Sequence, residues 1–470
     1  MARALAIKLA LARAVGSVSR MRGGGATSAP GKVLLRLQPD AIAKLAGRLE
    51  EGSVVISATN GKTTTAAMAS AVLQAAGIGL VHNHAGANMA GGVATALLDA
   101  AGPRESIAGQ LGLFEVDELW LAALAEQLRP RAILLGNLFR DQLDRYGELD
   151  TIADSWARVL RSGSAGSLIV NADDPLLADL ARERAETTFF GVEDDTLALP
   201  GMAHAADAKH CRRCGAPYVF DAVYLGHLGR YHCPSCGRRR PDPAIVASRV
   251  RLDGVRSARF LLRTPEGESE ISLALPGLYN VYNALAAAAL ATALGVPLQT
   301  IAAGLASTRP AFGRAETVEL SIPGTAAGEA TTTRELRILL IKNPAGANEV
   351  LRTLALEPGE HELLGVLNDQ IADGRDVSWI WDADFELLAG RVRRVICSGS
   401  RAADLATRLK YAGVDPRRIE LQGDLPRALR DAARPQGAEG APLYALPTYT
   451  AMLALRELLV ARGEASSAWS

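Results

Sequence analysis

The stretch SVVISATNGKTTTAAMASAVLQAAG (Ser53–Gly77) decides the fold class. A short β-branched apolar run, SVVIS, passes through a Gly-containing turn into an Ala-rich segment of helical character that closes at Gly77. Strand, turn and helix in that order present the backbone N–H groups of a helix N-terminus at the turn, where they bind phosphate. A Lys at that point reaches the β- and γ-oxygens, and the hydroxyl after it can ligate Mg²⁺. Thr59, Asn60, Gly61, Lys62, Thr63 and Thr64 are therefore the expected nucleotide-binding residues, with Thr63 as a magnesium ligand. Ile56 stands where the general phosphate-loop pattern has its first Gly, so the flanking strand and helix carry the reading more than the tripeptide GKT does.

Working outward, RAILLGN, SLIVNADD, LRILLIKNP, LLGVLND, RVRRVICSGS and PLYALPT are further strand segments followed by helical patterns. That βα alternation belongs to parallel sheets, and the class is α/β. The rhythm is interrupted from about Ala203 to Pro243, and SIPGTAAGEATTT (Ser321–Thr333) reads as a turn or linker. The expected organisation is an N-terminal helical segment (1–45), a central P-loop domain with a parallel sheet (46–315) carrying an insertion (203–243), and a C-terminal Rossmann-like α/β domain (316–470).

A chain of 470 residues has room for about three domains. Lys plus Arg and Asp plus Glu both number 51, so no net field draws nucleic acid or an anionic membrane, and nucleic acid is not an expected partner. The N-terminus, MARALAIKLALARAVGSVSRMRGGG, starts like a signal peptide, but Lys8 and Arg13 interrupt the apolar run, and its cations scatter around a helix. A helix docked on the body is expected. Ile271 to Thr308 carries no formal charge, yet Pro276, Asn280, Asn283 and Pro297 divide it and leave a helical core of buried-helix length from about Asn283 to Leu294. No transmembrane segment is expected, and the protein reads as cytoplasmic, working at most at the inner face of the membrane.

The interrupting segment carries Cys211, Cys214, Cys233 and Cys236 in the spacing C-x₂-C-x₁₈-C-x₂-C. Each CxxC turn brings two thiolates to one side of a tetrahedral Zn²⁺, and four thiolates close the shell, so the site is a structural zinc ribbon. Gly215 and Gly237 follow the two pairs, as tight knuckles require. His210, His227 and His232 read as bystanders, the nearby Lys209, Arg212, Arg213, Arg230 and Arg238 to Arg240 as a solvated rim or protein contact, and Cys397 as a core residue.

TNGKTTT is also the form the loop takes in the Mur ligase family, and further segments in the same order resemble that family. FEVDE (Phe114–Glu118) resembles its acidic strand end, which implies that Glu115 holds Mg²⁺. NLFRDQLDRYGE (Asn137–Glu148) is similar to TNxxxDHLDxxG, with Gln142 in place of His, and NADDP (Asn171–Pro175) follows a strand as it does in the family. GLYNVYNALAA (Gly277–Ala287) resembles GxHNxxNALAA, with Tyr279 replacing His, which implies Asn280 and Asn283 beside adenine. FGRAE (Phe312–Glu316) resembles the Arg-containing motif before the family's last domain, which implies that Arg314 reaches phosphate. No clear counterpart is found of the carbamylated Lys that holds a second metal in many Mur ligases; Lys209, inside the insertion, is the nearest. Lys342 stands where amino-acid-adding ligases carry an acid.

IKNPAGANE (Ile341–Glu349), LNDQIADGRDVSWIWD (Leu367–Asp382) and LPTYTAML (Leu446–Leu453) narrow the resemblance to the MurT branch, the Mur-like subunits of lipid II isoglutaminyl synthase. The resemblance implies a GatD-type glutaminase partner, in a heterodimer or larger complex, and lipid II as substrate. It also implies that Asp376, with Asp373 as the alternative, completes the partner's Cys/His site, where such an acid holds the His tautomer and stabilises imidazolium. Trp379 and Trp381 are then interface or core anchors. The implied reaction is ATP-dependent amidation of the α-carboxylate of D-isoglutamate to D-isoglutamine through an acyl phosphate, with Lys62, Thr63, Glu115, Mg²⁺ and Arg314 organising the phosphoryl group. The alternatives are an autonomous Mur or folylpolyglutamate-type ligase that adds an amino acid, and a zinc-ribbon nucleic-acid-binding ATPase.

Overall fold

A computed structural model describes residues 2–21, 27–83, 86–103, 106–141, 149–161, 163, 166–182, 184, 186–202, 206–309, 314–323, 331–437 and 440–466. Helices α1 (Ala2–Met21), α2 (Ala29–Leu37) and α3 (Ala41–Ala46) lead into β1 (Ser53–Ser57), which is buried along its whole length, as a strand covered on both faces must be. There follow α4 (Lys62–Ala75), β2 (Leu80–His82), α5 (Ala90–Ala100), β3 (Leu111–Glu115), α6 (Leu121–Leu128), β4 (Ala132–Leu135), α7 (Leu149–Arg161), β5 (Ser167–Asn171), α8 (Pro175–Ala181) and β6 (Thr187–Val192). The hairpin β7 (Val219–Leu225) and β8 (Leu228–His232) forms a sheet of its own. The strands β9 (Ile245–Asp253), β10 (Ser257–Thr264) and β11 (Gly267–Leu273) then return to the main sheet.

That sheet has nine strands in the order β11-β10-β9-β6-β5-β4-β1-β3-β2. From β2 to β9 every neighbouring pair is parallel, and β9 to β11 form an antiparallel meander at one edge. With β3 on one side of β1 and β4 on the other, the end of β1 is a topological switch point, where open α/β sheets form their binding crevice. Alternation along β1 sends Val54 and Ile56 to one core and Val55 to the other. The first face is covered by α4, α9 (Leu278–Ala293) and α10 (Leu298–Ser307), the second by α1 to α3 and α5 to α8. Helix α9 is buried on nearly every side, and its alanines let it lie close between α4 and the sheet.

The second sheet has six strands, β12 (Arg314–Ile322), β13 (Thr332–Leu339), β14 (His361–Val366), β15 (Val392–Ser398), β16 (Ile419–Leu421) and β17 (Leu443–Pro447), in the order β12-β13-β17-β14-β15-β16. Only β12 and β13 pair antiparallel. Helices α11 (Pro344–Ala355), α12 (Ala402–Tyr411), α13 (Leu425–Ala433) and α14 (Tyr449–Ala461) accompany this sheet.

The strand segments read from the sequence are strands, and Cys397 is fully buried in β15. Three features differ from the reading. The meander β9 to β11 was not anticipated, because βα periodicity gives no signal for strands joined by tight turns. Ser321–Thr333 joins two strands of one sheet, so it is a hairpin connection and not a link between sheets; its residues 324–330 lie outside the described ones. Helix α9 begins at Leu278, directly after Pro276 and Gly277, so both Asn280 and Asn283 lie on it. The N-terminal helix docks on the body: Leu9 and Ala12 are buried, and Arg13 donates to Leu98 O at 2.7 Å. Among the described residues no helix is long and apolar enough to cross a membrane.

The α2–α5 contact tests this packing. A Cβ on Gly31 would lie 1.9 Å from Gly91 O and 2.7 Å from Thr95 N, backbone atoms that cannot swing aside. Gly31→Ala is expected to lower stability by about 1–3 kcal/mol, the usual cost of overpacking, in denaturant unfolding; unchanged unfolding would contradict the close helix contact.

Candidate active site

The turn after β1 is held from both sides before any ligand is considered. Gly61 adopts φ +83°, and a Cβ there would lie 2.0 Å from Asn283 Oδ1, so the turn passes directly beneath α9. Asn137 clamps it: its Oδ1 accepts from Asn60 N and its Nδ2 donates to Asn60 O, both at 2.9 Å. Thr59 Oγ1 accepts from Phe139 N at 3.0 Å. The turn thus keeps its shape while the first N–H groups of α4 stay available.

Thr63 and Glu115, the two residues expected at magnesium, are in contact. Thr63 Oγ1 donates to Glu115 Oε2 at 2.8 Å. Glu115 ends β3 next to β1, and its backbone is fixed by Asn83, which accepts from Glu115 N at 2.9 Å and donates to Glu115 O at 2.8 Å. A hydroxyl and a carboxylate in contact at the phosphate end of a nucleotide site are a hard-oxygen donor pair suited to Mg²⁺.

Lys62 has a partner that the reading overlooked. Its Nζ donates to Glu118 Oε2 at 2.8 Å, to Thr59 O at 3.4 Å and to Ala58 O, which occupies all three of its N–H groups. Burial pushes against the ammonium, but the Glu118 carboxylate outweighs it and holds the Lys62 pKa above its ordinary value. Glu118 is the last acid of FEVDE, and its position three residues beyond the end of the strand was its sequence signal. To reach a phosphate oxygen, Lys62 must exchange one of these bonds.

On α9, Asn283 Oδ1 accepts from Thr65 Oγ1 at 3.2 Å, and Asn283 Nδ2 donates to Asn280 Oδ1 at 3.1 Å. Both Asn side chains are buried and border the same cavity as the turn. Across that cavity stands the second sheet. Lys342 Nζ donates to Asp141 Oδ2 at 2.8 Å and to Thr59 O at 3.2 Å. Asn343 Nδ2 donates to Asn60 Oδ1 at 2.9 Å and to Asp141 Oδ1 at 3.1 Å. The cavity between the sheets, about 310 Å³, is bordered by Lys62, Glu115, Asp117, Asp141, Lys342 and Glu349 among others. Burial raises the Glu349 carboxyl above its usual range, against the pull of Arg352.

Of Arg314 only the backbone is described; it opens β12 opposite Leu339, which lines the cavity, while its side chain lies outside the described residues. Phe312, Gln142 and the rest of 142–148 lie outside them too.

The two acids proposed for the partner's site occupy different environments. Asp373 is buried and committed, accepting from Thr450 N at 2.8 Å, Thr450 Oγ1 at 2.5 Å and Gln370 N at 3.2 Å. Asp376 is exposed, and hydrogen bonds from Ser378 hold its carboxyl below the usual range. Close in sequence or contact, Ile371 (70% exposed) and Trp381 (52%) leave apolar surface open, and Trp381 lies 5.9 Å from the ring of Tyr411. Trp379 instead packs on the second sheet's core. Ala372, in the same loop, lines the cavity.

The four cysteine sulfurs lie within 4.8 Å of one another, with Cys211–Cys236 at 3.6 Å and Cys214–Cys233 at 3.4 Å. Zn–S bonds of about 2.3 Å in a tetrahedron set sulfurs about 3.8 Å apart, so the cradle fits the ion. The knuckles match: Gly215 N donates to Cys211 O, Gly237 N to Cys233 O, and both glycines have positive φ. His210, His227 and His232 are not among the grouped ligands. Much of the basic rim is paired with acids: Arg212 with Asp150 and Asp154, Arg230 with Asp195, Arg238 with Asp179, and Arg240 with Asp173. Those charges are engaged within the chain.

Comparison with known proteins agrees with this architecture. The Mur ligase middle domain matches residues 56–214, and the MurT ligase C-terminal domain matches residues 340–452. The chain is 33% identical over 444 residues to the MurT subunit of the glutamine-hydrolysing lipid II isoglutaminyl synthase of Streptococcus pneumoniae, covering 94% of each protein. It is 32% identical over 459 residues to that of Staphylococcus aureus, covering 96% of each. Among solved structures, a pseudomurein peptide ligase type C from Methanothermus fervidus matches with TM-score 0.63 at 21% identity, over 89% of this chain and 80% of that one. MurF from Acinetobacter baumannii matches with TM-score 0.62 at 19% identity, over 93% and 79%. At those identities the likeness is one of fold.

The cysteine geometry has a direct check. Protein purified without chelators is expected to carry about one Zn²⁺ per chain, and Cys211→Ser or Cys233→Ser should lose the metal and destabilise the inserted segment. Elemental analysis that finds no zinc would contradict the assignment.

Proposed function

The chain belongs to the MurT family of lipid II isoglutaminyl synthase subunits, and on that premise we propose that the cavity between its two sheets performs the ATP-dependent amidation of lipid II. The observation that carries the reading is the convergence, in one cavity, of a phosphate-binding turn, the Thr63–Glu115 pair and a Lys from the second sheet. The substrate group is the α-carboxylate of the D-isoglutamyl residue, and the product is D-isoglutamine.

A carboxylate is a poor electrophile with no good leaving group, so ammonia cannot displace its oxygen directly. Transfer of the γ-phosphoryl group of ATP removes that obstacle. A carboxylate oxygen attacks phosphorus, the bond to the ADP oxygen breaks, and an acyl phosphate forms. Ammonia then adds to the carbonyl carbon, inorganic phosphate leaves, and the extra proton passes to solvent or a nearby base.

Each residue has a place in this sequence. The N-terminal amides of α4 hold the β- and γ-phosphates, and Lys62 exchanges its bond to Ala58 O or Glu118 for a phosphate oxygen as charge builds on the transferred group. Thr63 and Glu115 would hold Mg²⁺, which neutralises phosphate charge when bound. Asn280 and Asn283 would face the adenine, and the role of Arg314 at the phosphates rests on its motif alone. Lys342, poised on Asp141, brings a second ammonium from the opposite sheet.

Ammonia comes from a GatD-type glutaminase. Cys397 is fully buried, and burial pushes its thiol up to about 12, so it is no nucleophile; the other four cysteines are grouped as metal ligands. Asp376 is the acid lent to the partner's His, because it is exposed in a segment whose Ile371 and Trp381 also leave apolar surface open, whereas Asp373 is consumed by Thr450. Ala372 lines the cavity from the same loop, so a partner docked there would release ammonia next to the acyl phosphate.

Two substitutions separate the half-reactions. In the complex, Asp376→Asn is expected to lower glutamine hydrolysis by at least about 10²-fold, on the precedent of triad acids, while added ammonium at alkaline pH restores much of the amidation. Lys62→Ala should abolish amidation with either nitrogen source. Loss of ammonium-dependent amidation in Asp376→Asn with glutamine hydrolysis intact would move Asp376 to the ATP site, and full activity in Lys62→Ala would show that the phosphate loop lies elsewhere.

A further inference from the structure

The hairpin of the four-cysteine segment has two ends, and the end away from the metal is part of the nucleotide cavity. Strand β7 runs about 20 Å, at 3.3 Å per residue, from the knuckles into the main core. There Leu225 and Leu228, the pair that closes the hairpin, both line the cavity. They share one apolar cluster with Phe139 and Tyr282, which line it as well.

The tip is wedged in place. His227, between the two leucines, is fully buried, with its ring centroid 4.5 Å from that of Phe139 and its Nε2 3.5 Å from the Asp174 carboxylate. A Cβ on Gly226 would lie 2.8 Å from Phe139 Cε1. Asp173, which has no solvent exposure, ties the hairpin to the adenine side of the site. Its carbonyl accepts from Gly229 N at 3.0 Å, and its carboxylate accepts from Arg240 Nε at 2.5 Å, Tyr282 Oη at 2.7 Å and Val192 N at 2.9 Å. Arg240 lies just beyond the last cysteine, and Tyr282 stands on α9 between Asn280 and Asn283.

We infer that the hairpin tip is the apolar wall against which the base of ATP packs, and that metal at the four cysteines sets nucleotide affinity by holding that wall in place. The inference rests on the ATP-site reading above. A purine presents an apolar face and a polar edge; the leucines, Phe139 and Tyr282 suit the face, and the Asn side chains suit the edge. The phosphates are served by Gly61 to Thr64 on the other side of the turn. The wall therefore acts on the nucleoside and not on the polyphosphate chain.

The test is calorimetric titration of the full-length protein, in Mg²⁺, with ATP and with inorganic tripolyphosphate. Leu225→Ala is expected to weaken ATP roughly tenfold, equivalent to about 1.4 kcal/mol, and to leave tripolyphosphate unchanged, while Leu225→Met keeps ATP near wild-type affinity. Wild-type protein stripped with a nitrogen-donor chelator that spares Mg²⁺ should show the same selective loss, reversed by added Zn²⁺; this arm also serves if Leu225→Ala folds poorly. Unchanged ATP affinity in folded Leu225→Ala or in zinc-free protein overturns the inference, as does an equal loss of both ligands. Wild-type protein that binds tripolyphosphate but gains nothing from the nucleoside also overturns it and leaves the phosphate loop standing. Wild-type protein that binds neither overturns the ATP-site reading itself.

Discussion

The site exists because two sheets meet at one turn, and the contact that joins them there is the clasp of Asn60, Asp141, Lys342 and Asn343. Asp141 is shared, one carboxylate oxygen accepting from Lys342 and the other from Asn343, and Asn343 reaches on to Asn60 in the phosphate-binding turn. Asn343 also caps α11 by accepting from Gly346 N, so the position of a whole helix is referred to the turn. Removing the Asp141 carboxylate would strip Lys342 of its counter-charge, leaving its ammonium with Thr59 O and the Asn343 amide with Asn60 Oδ1 alone, a costly change at a largely buried seam. The clasp therefore fixes where the second sheet's contributions, Lys342 and the loop from Asn368 to Asp382, stand relative to the phosphates.

A second buried carboxylate organises the other side. Asp173 and Asp174 are adjacent yet serve different elements. Asp173 gathers β6, α9 and the four-cysteine segment, and Asp174 caps α8 and accepts from Leu138 N in the segment that clamps the turn. Burial pushes the Asp173 carboxyl up, against Arg240 and its hydrogen bonds. What reads in the sequence as an inserted metal module is thus tied into the core by the charge of NADDP, and its tip shares the nucleotide cavity.

The parts legible in the sequence were those with local signals. The phosphate turn was readable because strand, Gly and helix follow one another within Ser53–Gly77, and the cysteine cradle because its knuckles are local turns. Glu115 was singled out by its motif, and in the structure it lies against Thr63. The residues that escaped are those whose partners lie far away along the chain. Glu118 meets Lys62, Asp141 meets Lys342, and Asp173 meets Tyr282 and Arg240, and neither spacing nor periodicity announces such pairs. The hairpin tip escaped for another reason: Leu225 and Leu228 look like ordinary strand residues, and only the register of β7 against β8 shows that they close a turn inside the core. For the partner's site the resemblance put Asp376 first and Asp373 second; in the structure Asp376 is exposed and Asp373 buried.

The central claim is that the cavity activates a carboxylate by phosphorylation, and the fate of oxygen tests it most directly. Lipid II labelled with ¹⁸O in the α-carboxylate of its isoglutamyl residue, amidated by the complex with ATP and glutamine, should pass a labelled oxygen to inorganic phosphate at each turnover, because the oxygen that attacks phosphorus leaves with it. Phosphate free of label at full amidation would contradict the acyl phosphate, and label found in AMP would place the attack on a different phosphorus.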